Sequence, residues 1–254
     1  MQKIFFISDV HLSLIVKERE LNRRAELYDL LDEVKAQQAI LVIVGDFFDF
    51  YFEWGAVITQ AYQDVYTKLA ELRAAGIEIH YFAGNHDFYL GDFLSKDLDI
   101  KIYQDATTLR FGDKNFYCIH GDGLAATDGG YRRFKRFIRS RFSVFMFRWL
   151  IHPNIGHWLA KQVSYTSRTL TRESEAGKHA LIDENLEFAK QKFAEGADYV
   201  VTGHIHLPRL DKVGDNAFLT IGDFLQYFSY GYYDGVNLSL KQWPVKSLPQ
   251  RLIA

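Results

Sequence analysis

The sequence predicts an α/β fold, because apolar runs typical of buried strands alternate with segments of helical periodicity. Three apolar runs in the first ninety residues each end abruptly in polar residues: KIFFISDVH, AILVIVGDFFD and IEIHYFAGNHD. Between them, residues 18–37 and 54–75 carry apolar side chains at helical spacing, and Gly76 ends the second segment. The predicted order of elements is therefore β-α-β-α-β.

The second half of the sequence predicts a mixed sheet and a helical insertion. Hairpin-like spacing separates further predicted strands at Leu109–Phe111, Asn115–Ile119, Tyr199–Thr202, Ala217–Ile221 and Gly235–Leu240. From about residue 124 to 190 the pattern is helical without strands, which indicates a cap inserted over the sheet edge. No repeat or Pro/Ser-rich linker marks a second domain, so we expect residues 1–254 to form one domain with this cap insertion.

The composition favours a cytoplasmic protein without a strong overall charge. The 254 residues are 48% hydrophobic, enough for a substantial core, and the formal net charge is -2, so electrostatic recognition must be local. The single cysteine, Cys118, excludes an internal disulfide, and Asp9 and His11 lie where a signal peptide would need its apolar stretch. No apolar run approaches the ~18 residues of a membrane span.

Polar residues follow the predicted strands, and consecutive parallel units bring such loops to one edge of a sheet. These residues are all oxygen or nitrogen donors: Asp9, His11, Asp46, Asn85, His120, His204 and His206. The donors suit divalent Mn, Fe or Zn ions, whereas a thiolate site needs cysteines. The motifs also contain glycines that permit sharp turns and close backbone approach, at Gly45, Gly84, Gly121 and Gly203. A lone Asp-x-His is more typical of a solvated turn, but five such motifs in order favour a metal site.

Together these motifs resemble the full signature of the calcineurin-like metallophosphoesterases. The matching stretches are DVH at 9–11, GDFFD at 45–49, GNHD at 84–87, HGD at 120–122 and GHIH at 203–206. The resemblance implies a four-layer α-β-β-α sandwich of two mixed sheets flanked by helices. It also implies one metal ion held by Asp9, His11, Asp46 and His206, and a second held by Asp46, Asn85, His120 and His204. Asp46 would bridge the two ions.

The chemistry of such a site is attack of water on phosphorus, in which two ions ~3.5 to 4 Å apart bind the phosphoryl oxygens and activate the water. The resemblance implies that His86 acts at the leaving group as a general acid or charge stabiliser, and that Asp49 orients its imidazole. The alternative for His86 is a structural residue beside the ligands. Asp122 and Asp223, which also follow glycines, are expected to support the site from outside.

Within this superfamily the sequence is most similar to the UDP-2,3-diacylglucosamine hydrolases of lipid A synthesis. The similarity lies in ISDVHLS at 7–13, in GNHDF at 84–88 and in the helical insertion. It implies substrate contacts by Asn85, Asp128, Tyr131, Ser174 and Lys178. The main branch of that family has Arg where this chain has His86, and Glu where it has Asp49. The chain therefore resembles a side branch, and its substrate stays open between a lipid-linked nucleotide sugar and a soluble phosphomonoester or phosphodiester.

A basic and aromatic segment, YRRFKRFIRSRFSVFMFRWL, occupies residues 131–150 of the insertion. Its arginines and lysine alternate with aromatic residues, and it contains no acidic residue. The pattern suits an anionic membrane surface or a groove for acyl chains, which predicts peripheral contact with the inner face of the cell membrane. The alternatives are packing of the aromatics on the sheet domain, and stacking of single-stranded bases, which the near-neutral net charge disfavours.

The leading hypothesis is therefore a hydrolase with two divalent metal ions, expected to be Mn²⁺, with Zn²⁺ or Fe²⁺ as alternatives. It would cleave UDP-2,3-diacylglucosamine or a similar lipid-linked nucleotide sugar to UMP and the acyl-sugar 1-phosphate. A hypothesis of another class is a binding scaffold that has this fold without catalysis, as in the retromer subunit. Because every expected ligand is present in the sequence, the scaffold is disfavoured.

Overall fold

Two β-sheets lie face to face in the computed structural model, which describes residues 2–54, 57–125, 128–156, 158 and 174–246. In spatial order, the first sheet contains β11 (Leu238–Gln242), β10 (Ser229–Tyr233), β1 (Ile4–Ile7), β2 (Ile40–Val44), β3 (Ile79–Phe82) and β4 (Lys101–Tyr103). The second sheet contains β5 (Thr107–Phe111), β6 (Lys114–Ile119), β7 (Tyr199–Thr202), β9 (Asn216–Thr220) and β8 (Arg209–Val213). Strands β1 to β4 are parallel, as are β6, β7 and β9, while the others are antiparallel to their neighbours. Both sheets are mixed, as predicted.

Three of the helices cover the outer faces of the two sheets, and two others lie at the carboxyl edge of the first sheet. The helices are α1 (Glu18–Ala36), α2 (Gln63–Ala74), α3 (Gly129–Ile138), α4 (Arg141–Leu150) and α5 (Glu175–Ala194), with short helical turns at Gln60–Tyr62 and Phe93–Asp97. Buried side chains of α1 and α2 share a core with the first sheet, and those of α5 share another with the second sheet. A third core lies between the sheets. The predicted four-layer order of helices, sheet, sheet and helices is confirmed.

The central strands are apolar throughout because both of their faces are buried. Along β1, Phe5 and Ile7 point into the core beneath α1 and α2, whereas Ile4 and Phe6 point into the core between the sheets. Side chains of a strand alternate between its two faces, so a strand inside a layered sandwich needs apolar residues at every position. The continuous runs that predicted β1 and β2 have this cause.

Two predicted elements have wrong boundaries. The segment predicted as a strand at Gly235–Leu240 comprises the turn between β10 and β11 and the first residues of β11. In this turn the Asp234 side chain accepts hydrogen bonds from the N–H groups of Val236 and Asn237. The aromatic stretch before it forms β10. The helix predicted from residue 54 begins at Gln63, after an isolated bridge between Trp54 and Val57. In the hairpin, the hydrogen bonds of the Asp234 side chain fix the turn, and pairing with β1 and β11 makes the aromatic stretch a strand. Neither effect is visible in the local periodicity of the sequence.

The predicted insertion at 124–190 contains helices of two kinds. Helices α3 and α4 lie beside the loops at the carboxyl edge of the first sheet, where Arg139 Nη2 donates to the Gly84 carbonyl at 2.6 Å. In contrast, α5 extends to Ala194 and buries Ile182 and Ala189 against the second sheet, so it belongs to the outer layer. That the whole segment is a cap on one domain stays a prediction. Within the described residues, every helix is too short or too polar to cross a bilayer.

Candidate metal centre

The loops that follow the parallel strands meet at one edge of the sandwich. Strands β1, β2 and β3 lead to Asp9, Asp46 and Asn85, while β6 and β7 lead to His120 and His204. Backbone hydrogen bonds tie neighbouring loops together, from Asp9 N–H to the Gly45 carbonyl at 3.2 Å and from Gly203 N–H to the His120 carbonyl at 2.9 Å. The parallel topology therefore gathers residues that are distant in sequence, as predicted.

The backbone of this edge is strained at the predicted ligands. A positive φ, rare outside glycine, occurs at Asp9 (51°), His11 (46°), Asp46 (49°), His204 (72°) and His206 (56°). Each such residue costs on the order of 1 kcal/mol and persists only where its surroundings hold it. Gly45 has φ 81°, and a side chain there would overlap the His120 ring. The strain is concentrated where side chains must converge.

Asp9 and Asp46 face the histidines from the middle of the site. Asp9 Oδ1 lies 3.4 Å from His206 Nε2 and 3.7 Å from His11 Nε2. Asp46 Oδ2 lies 3.7 Å from His11 Nε2 and 3.4 Å from His120 Nε2. Donor atoms of Asp9, His11 and His206 lie within 4.8 Å of one another, and so do those of Asp46, His120 and His204. A third group within the same limit, His11, Asp46 and His86, overlaps the other two, so Asp46 lies between the candidate ligands of two ions.

Asn85 completes the second group, because its Oδ1 lies 3.0 Å from His120 Nε2. Asp9 Oδ1 and His11 Nε2 are buried and lack a hydrogen-bond partner within the described part of the chain. Buried polar atoms are almost always paired, so unpaired atoms at the focus of a site point to a missing ligand. Carboxylate oxygens, imidazole nitrogens and an amide oxygen fit two divalent cations. The structure brings all seven predicted ligands together, and their assignment to particular ions stays a prediction.

The charges of the centre stabilise one another. Burial alone would lower the pKa of His11 and His120, but the carboxylates around them outweigh it and raise both pKa values to about 10. Burial would raise the pKa of Asp9 and Asp46, but the histidines lower both below the ordinary range. For His204, burial followed by repulsion from His120 lowers the pKa to about 4. A divalent cation would replace the protons of this buried cluster.

Asp223 holds His206 from outside the centre. Its Oδ2 lies 3.2 Å from His206 Nδ1, and its Oδ1 accepts hydrogen bonds from the N–H groups of Leu225, Gln226 and Tyr227. This contact turns His206 Nε2 toward Asp9. Partners of this kind fix the tautomer of a metal-ligating histidine. The sequence predicted Asp223 as a supporting residue, and the structure supplies the contact.

Replacement of Asp223 by Asn should weaken metal binding by about tenfold, because loss of such a partner typically costs 10- to 100-fold in metal affinity or activity. The three backbone hydrogen bonds can persist, so the fold should be retained. Calorimetric titration of the metal-free protein with Mn²⁺ measures the change. Unchanged affinity would show that His206 is oriented without Asp223.

Arg23 and Asp87 carry functions that sequence reasoning did not assign. Arg23 is 6% exposed, and its guanidinium donates to the carbonyls of Val10 and His11, which holds the loop between two predicted ligands. Asp87 is fully buried and accepts hydrogen bonds from the loops that carry Asp46 and Asn85. The GNHD motif could have indicated Asp87. No motif contains Arg23, which lies on helix α1 and reaches the site only in the folded protein.

His86 lies beside the first group, with its ring 4.7 Å from the His11 ring. Its Nδ1 lies 2.9 Å from the Asp49 backbone carbonyl, and its backbone N–H donates to Asp46 Oδ1 at 2.8 Å. Because a carbonyl only accepts, His86 Nδ1 must carry a proton. The Asp49 carboxylate lies 3.4 Å from His11 Nδ1. Asp49 thus contacts His86 through its backbone, and the predicted orienting role of its side chain stays a prediction.

A cavity of about 1230 Å³ opens over the metal ligands. Among the predicted substrate residues, Asn85, Asp128, Tyr131 and Lys178 line it. The Tyr131 hydroxyl donates to Asp122 Oδ2 at 2.8 Å, and Lys135 Nζ pairs with the same carboxylate at 2.7 Å, so Asp122 anchors α3 beside the site. Ser174 does not line the cavity in the described structure. Its Oγ accepts the Gly177 N–H as the N-cap of α5, and its contact with substrate stays a prediction.

Comparison with known proteins agrees with this geometry. The model of the calcineurin-like phosphoesterase family matches residues 2–208. A UDP-2,3-diacylglucosamine hydrolase from Porphyromonas gingivalis is 31% identical over 94% of this chain and 97% of its own length, and one from Pseudomonas fluorescens is 31% identical over 87% and 88%. The solved structure of Yfce, a phosphoesterase from E. coli, aligns over 100% of both chains with 20% identity and a TM-score of 0.47. The chain belongs to the calcineurin-like phosphoesterase family and is a metal-dependent phosphoesterase.

Proposed function

We propose that this phosphoesterase hydrolyses the pyrophosphate bond of UDP-2,3-diacylglucosamine or a similar lipid-linked nucleotide sugar, releasing UMP and the acyl-sugar 1-phosphate. The names of the similar hydrolases from P. gingivalis and P. fluorescens support this substrate class. The observation that carries the proposal is an exposed aromatic face on α3 and α4, next to the cavity of the metal centre.

The exposed face consists of large apolar side chains that protrude from both helices. Between 57% and 70% of the surface of each is exposed, at Phe134, Phe137, Phe142, Phe145, Trp149 and Leu150. Isolated apolar residues on a surface are common, but a cluster of this size marks a contact with lipid or another molecule. Arg133, Arg136 and Arg141 are exposed on the same helices and suit anionic head groups.

The inner side of the two helices is attached to the sheet domain. The Phe147 ring lies 4.8 Å from Phe52 and 5.7 Å from Trp54, whose Nε1 donates to the Ile151 carbonyl at 3.0 Å. The packing alternative thus applies to Phe147. Of the six residues of the exposed face, Phe145 and Trp149 contact each other, with ring centroids 6.2 Å apart, and all six side chains stay largely exposed. Contact with acyl chains or with the membrane surface gives them an apolar environment.

The proposed cofactor is a pair of Mn²⁺ ions, with Zn²⁺ or Fe²⁺ as alternatives of compatible ligand preference. When bound, such ions neutralise phosphoryl oxygens and lower the pKa of a bound water toward neutrality. The seven predicted ligands would hold the ions, with Asp46 as the residue shared between the two groups. His86 keeps its Nδ1 proton on the Asp49 carbonyl, so Nε2 is the atom that faces substrate and, when protonated, donates to the leaving-group oxygen.

Replacing Phe134, Phe137, Phe142, Phe145 and Trp149 by Ser should lower kcat/KM for UDP-2,3-diacylglucosamine in mixed micelles by at least about tenfold, because each lost apolar contact weakens acyl-chain or surface binding. UMP release by Mn²⁺-loaded protein measures this activity. Hydrolysis of bis(p-nitrophenyl) phosphate should change less than about twofold, since no contact of the metal centre is altered.

Val236→Ser together with Leu21→Ser is a matched control, since both residues are exposed apolar side chains outside α3 and α4. This control should leave both activities unchanged. Equal losses of both activities in the five-residue variant would argue against an acyl-chain contact. If the unchanged protein releases no UMP but cleaves members of a panel of soluble nucleotides, the alternative function as a phosphomonoesterase or phosphodiesterase replaces the proposal.

A further inference from the structure

Helix α3 carries a row of polar side chains in addition to its exposed aromatic residues. Tyr131, Lys135 and Arg139 follow one another at intervals of four residues, which places them along one face of the helix. The Tyr131 hydroxyl and Lys135 Nζ contact the Asp122 carboxylate in the loop after β6, whereas Arg139, at the end of the helix, contacts the loop after β3. The row therefore joins α3 to two of the loops that carry predicted metal ligands.

The Arg139 guanidinium lies among three loops at the carboxyl ends of the strands. Its Nη2 donates to the Gly84 carbonyl at 2.6 Å, and its Nη1 donates to the Gln104 carbonyl, in the loop after β4, at 3.4 Å. Nη2 also lies 4.0 Å from Asp122 Oδ2, and the guanidinium carbon lies 5.9 Å from the centre of the Phe88 ring. The side chain is only 19% exposed. A planar group with several donors can contact such a set of partners at once.

The bond to Gly84 bears directly on Asn85, which is a predicted ligand. The Gly84 carbonyl belongs to the planar peptide group that joins the two residues, so its direction determines where the Asn85 side chain begins. On the inner side, the Gly84 N–H donates to Asp87 Oδ1 at 2.9 Å, and a side chain at Gly84 would overlap Asp46. Arg139 holds the same residue from the outer side, through a charged donor, and such hydrogen bonds are about twice as strong as neutral ones.

We infer that Arg139 is a positioning residue for the second group of metal ligands, because it fixes the peptide group before Asn85. Asn85 Oδ1 lies 3.0 Å from His120 Nε2, so a rotation of that peptide group would move the amide oxygen away from the other ligands. The inference rests on the proposed pair of ions with Asn85 as a ligand, and it does not depend on the identity of the substrate. The helix that presents the aromatic face thus also supports the metal centre.

The alternative is that Arg139 only attaches α3 to the sheets. Arg148 of α4 provides a matched comparison, because its Nη1 lies 3.4 Å from the Tyr89 hydroxyl, further along the same loop after β3. Arg148 therefore joins a neighbouring helix to this loop through a side chain, whereas Arg139 contacts the peptide group of a predicted ligand. Loss of Mn²⁺ affinity in Arg139 variants alone separates positioning from attachment.

The test is a calorimetric titration of the metal-free, full-length protein with Mn²⁺. The unchanged protein should bind two ions per chain. In Arg139→Gln the dissociation constant of one ion should rise at least about tenfold, as for other partners that orient a ligand, and that of the other ion should change less than about threefold. Arg139→Met, which keeps the apolar stem without a donor, should show the same loss. Arg139→Lys keeps one charged donor and should recover most of the affinity.

Hydrolysis of bis(p-nitrophenyl) phosphate gives a second readout. At limiting Mn²⁺, kcat of Arg139→Gln should fall about tenfold, and excess Mn²⁺ should restore most of it, because the loss lies in the occupancy of one site. KM at saturating Mn²⁺ should change less than about twofold. Arg148→Gln should behave as the unchanged protein in both measurements.

Unchanged affinity for both ions in Arg139→Gln and Arg139→Met would overturn the inference, and so would loss of the fold in both variants. Equal losses in Arg148→Gln would overturn it as well, since they would indicate only attachment of the helices. Binding of a single Mn²⁺ by the unchanged protein would reject the proposed pair of ions, and the inference with it. Failure to release UMP from UDP-2,3-diacylglucosamine, with the loss of Mn²⁺ affinity in Arg139→Gln intact, would reject the proposed substrate alone.

Discussion

Asp46→Asn should lower kcat for bis(p-nitrophenyl) phosphate by at least about 10³-fold, more than the loss expected for residues that only support a ligand. The Asp46 carboxylate lies between the two groups of ligands, 3.4 Å from His120 Nε2 and 3.7 Å from His11 Nε2. An amide in its place removes the negative charge that both cations would share. Both sites should then lose affinity, and metal analysis after dialysis should find at least one Mn²⁺ fewer per chain.

The fold should survive this substitution. Asp46 is strained, with φ 49°, and asparagine tolerates that conformation better than most residues. Far-ultraviolet circular dichroism and the urea midpoint should therefore stay close to those of the unchanged protein. Asp113→Asn, in the exposed turn between β5 and β6, is the control for loss of one carboxylate and should retain full activity. Full activity of Asp46→Asn with a normal metal content would remove the bridging role and reopen the scaffold hypothesis.

Asp87→Asn should destabilise the protein by about 3 kcal/mol, because one buried acceptor oxygen becomes a donor that faces other donors. The carboxylate accepts hydrogen bonds from four backbone N–H groups and one hydroxyl, at Gly84, Asp46, Phe47, Phe48 and Tyr81. The N–H donors belong to the loops after β2 and β3, and Tyr81 belongs to β3 itself. Urea unfolding measures the change in the free energy of unfolding.

The same substitution should lower activity in the folded fraction, since the loops that carry Asp46 and Asn85 lose their common anchor. A loss of about 10- to 100-fold in kcat/KM is expected for a residue that only orients ligands. Tyr81→Phe is the graded control: it removes one of the donors and should cost about 1 kcal/mol. If Asp87→Asn were as stable and as active as the unchanged protein, the position of Asp46 would depend on contacts other than this carboxylate.

Sequence patterns alone predicted the layers of the fold and the candidate metal ligands, because both follow from local rules. A strand buried on both faces needs mostly apolar residues, and β1 and β2, which are apolar at every position, were therefore predicted from the sequence. Metal coordination restricts the donor types, and the glycines beside the donors mark the sharp turns, so all seven predicted ligands meet in the structure. Local rules gave wrong bounds for the hairpin of β10 and β11. The aromatic residues of β10 show neither the alternation of a half-buried strand nor the spacing of a helix.

Only the tertiary structure showed which residues support the site and which side chains line the cavity above it. Arg23 and Asp87 support the site through hydrogen bonds to backbone atoms of the ligand loops. Every residue has such backbone atoms, so the sequence does not indicate which of them will be contacted. The cap that Ser174 forms at the start of α5 likewise appears only in the structure. The exposure of the aromatic face depends on what the rest of the chain covers. The sequence by itself therefore determined the chemistry of the metal centre, and the packing of its layers decided what surrounds that centre.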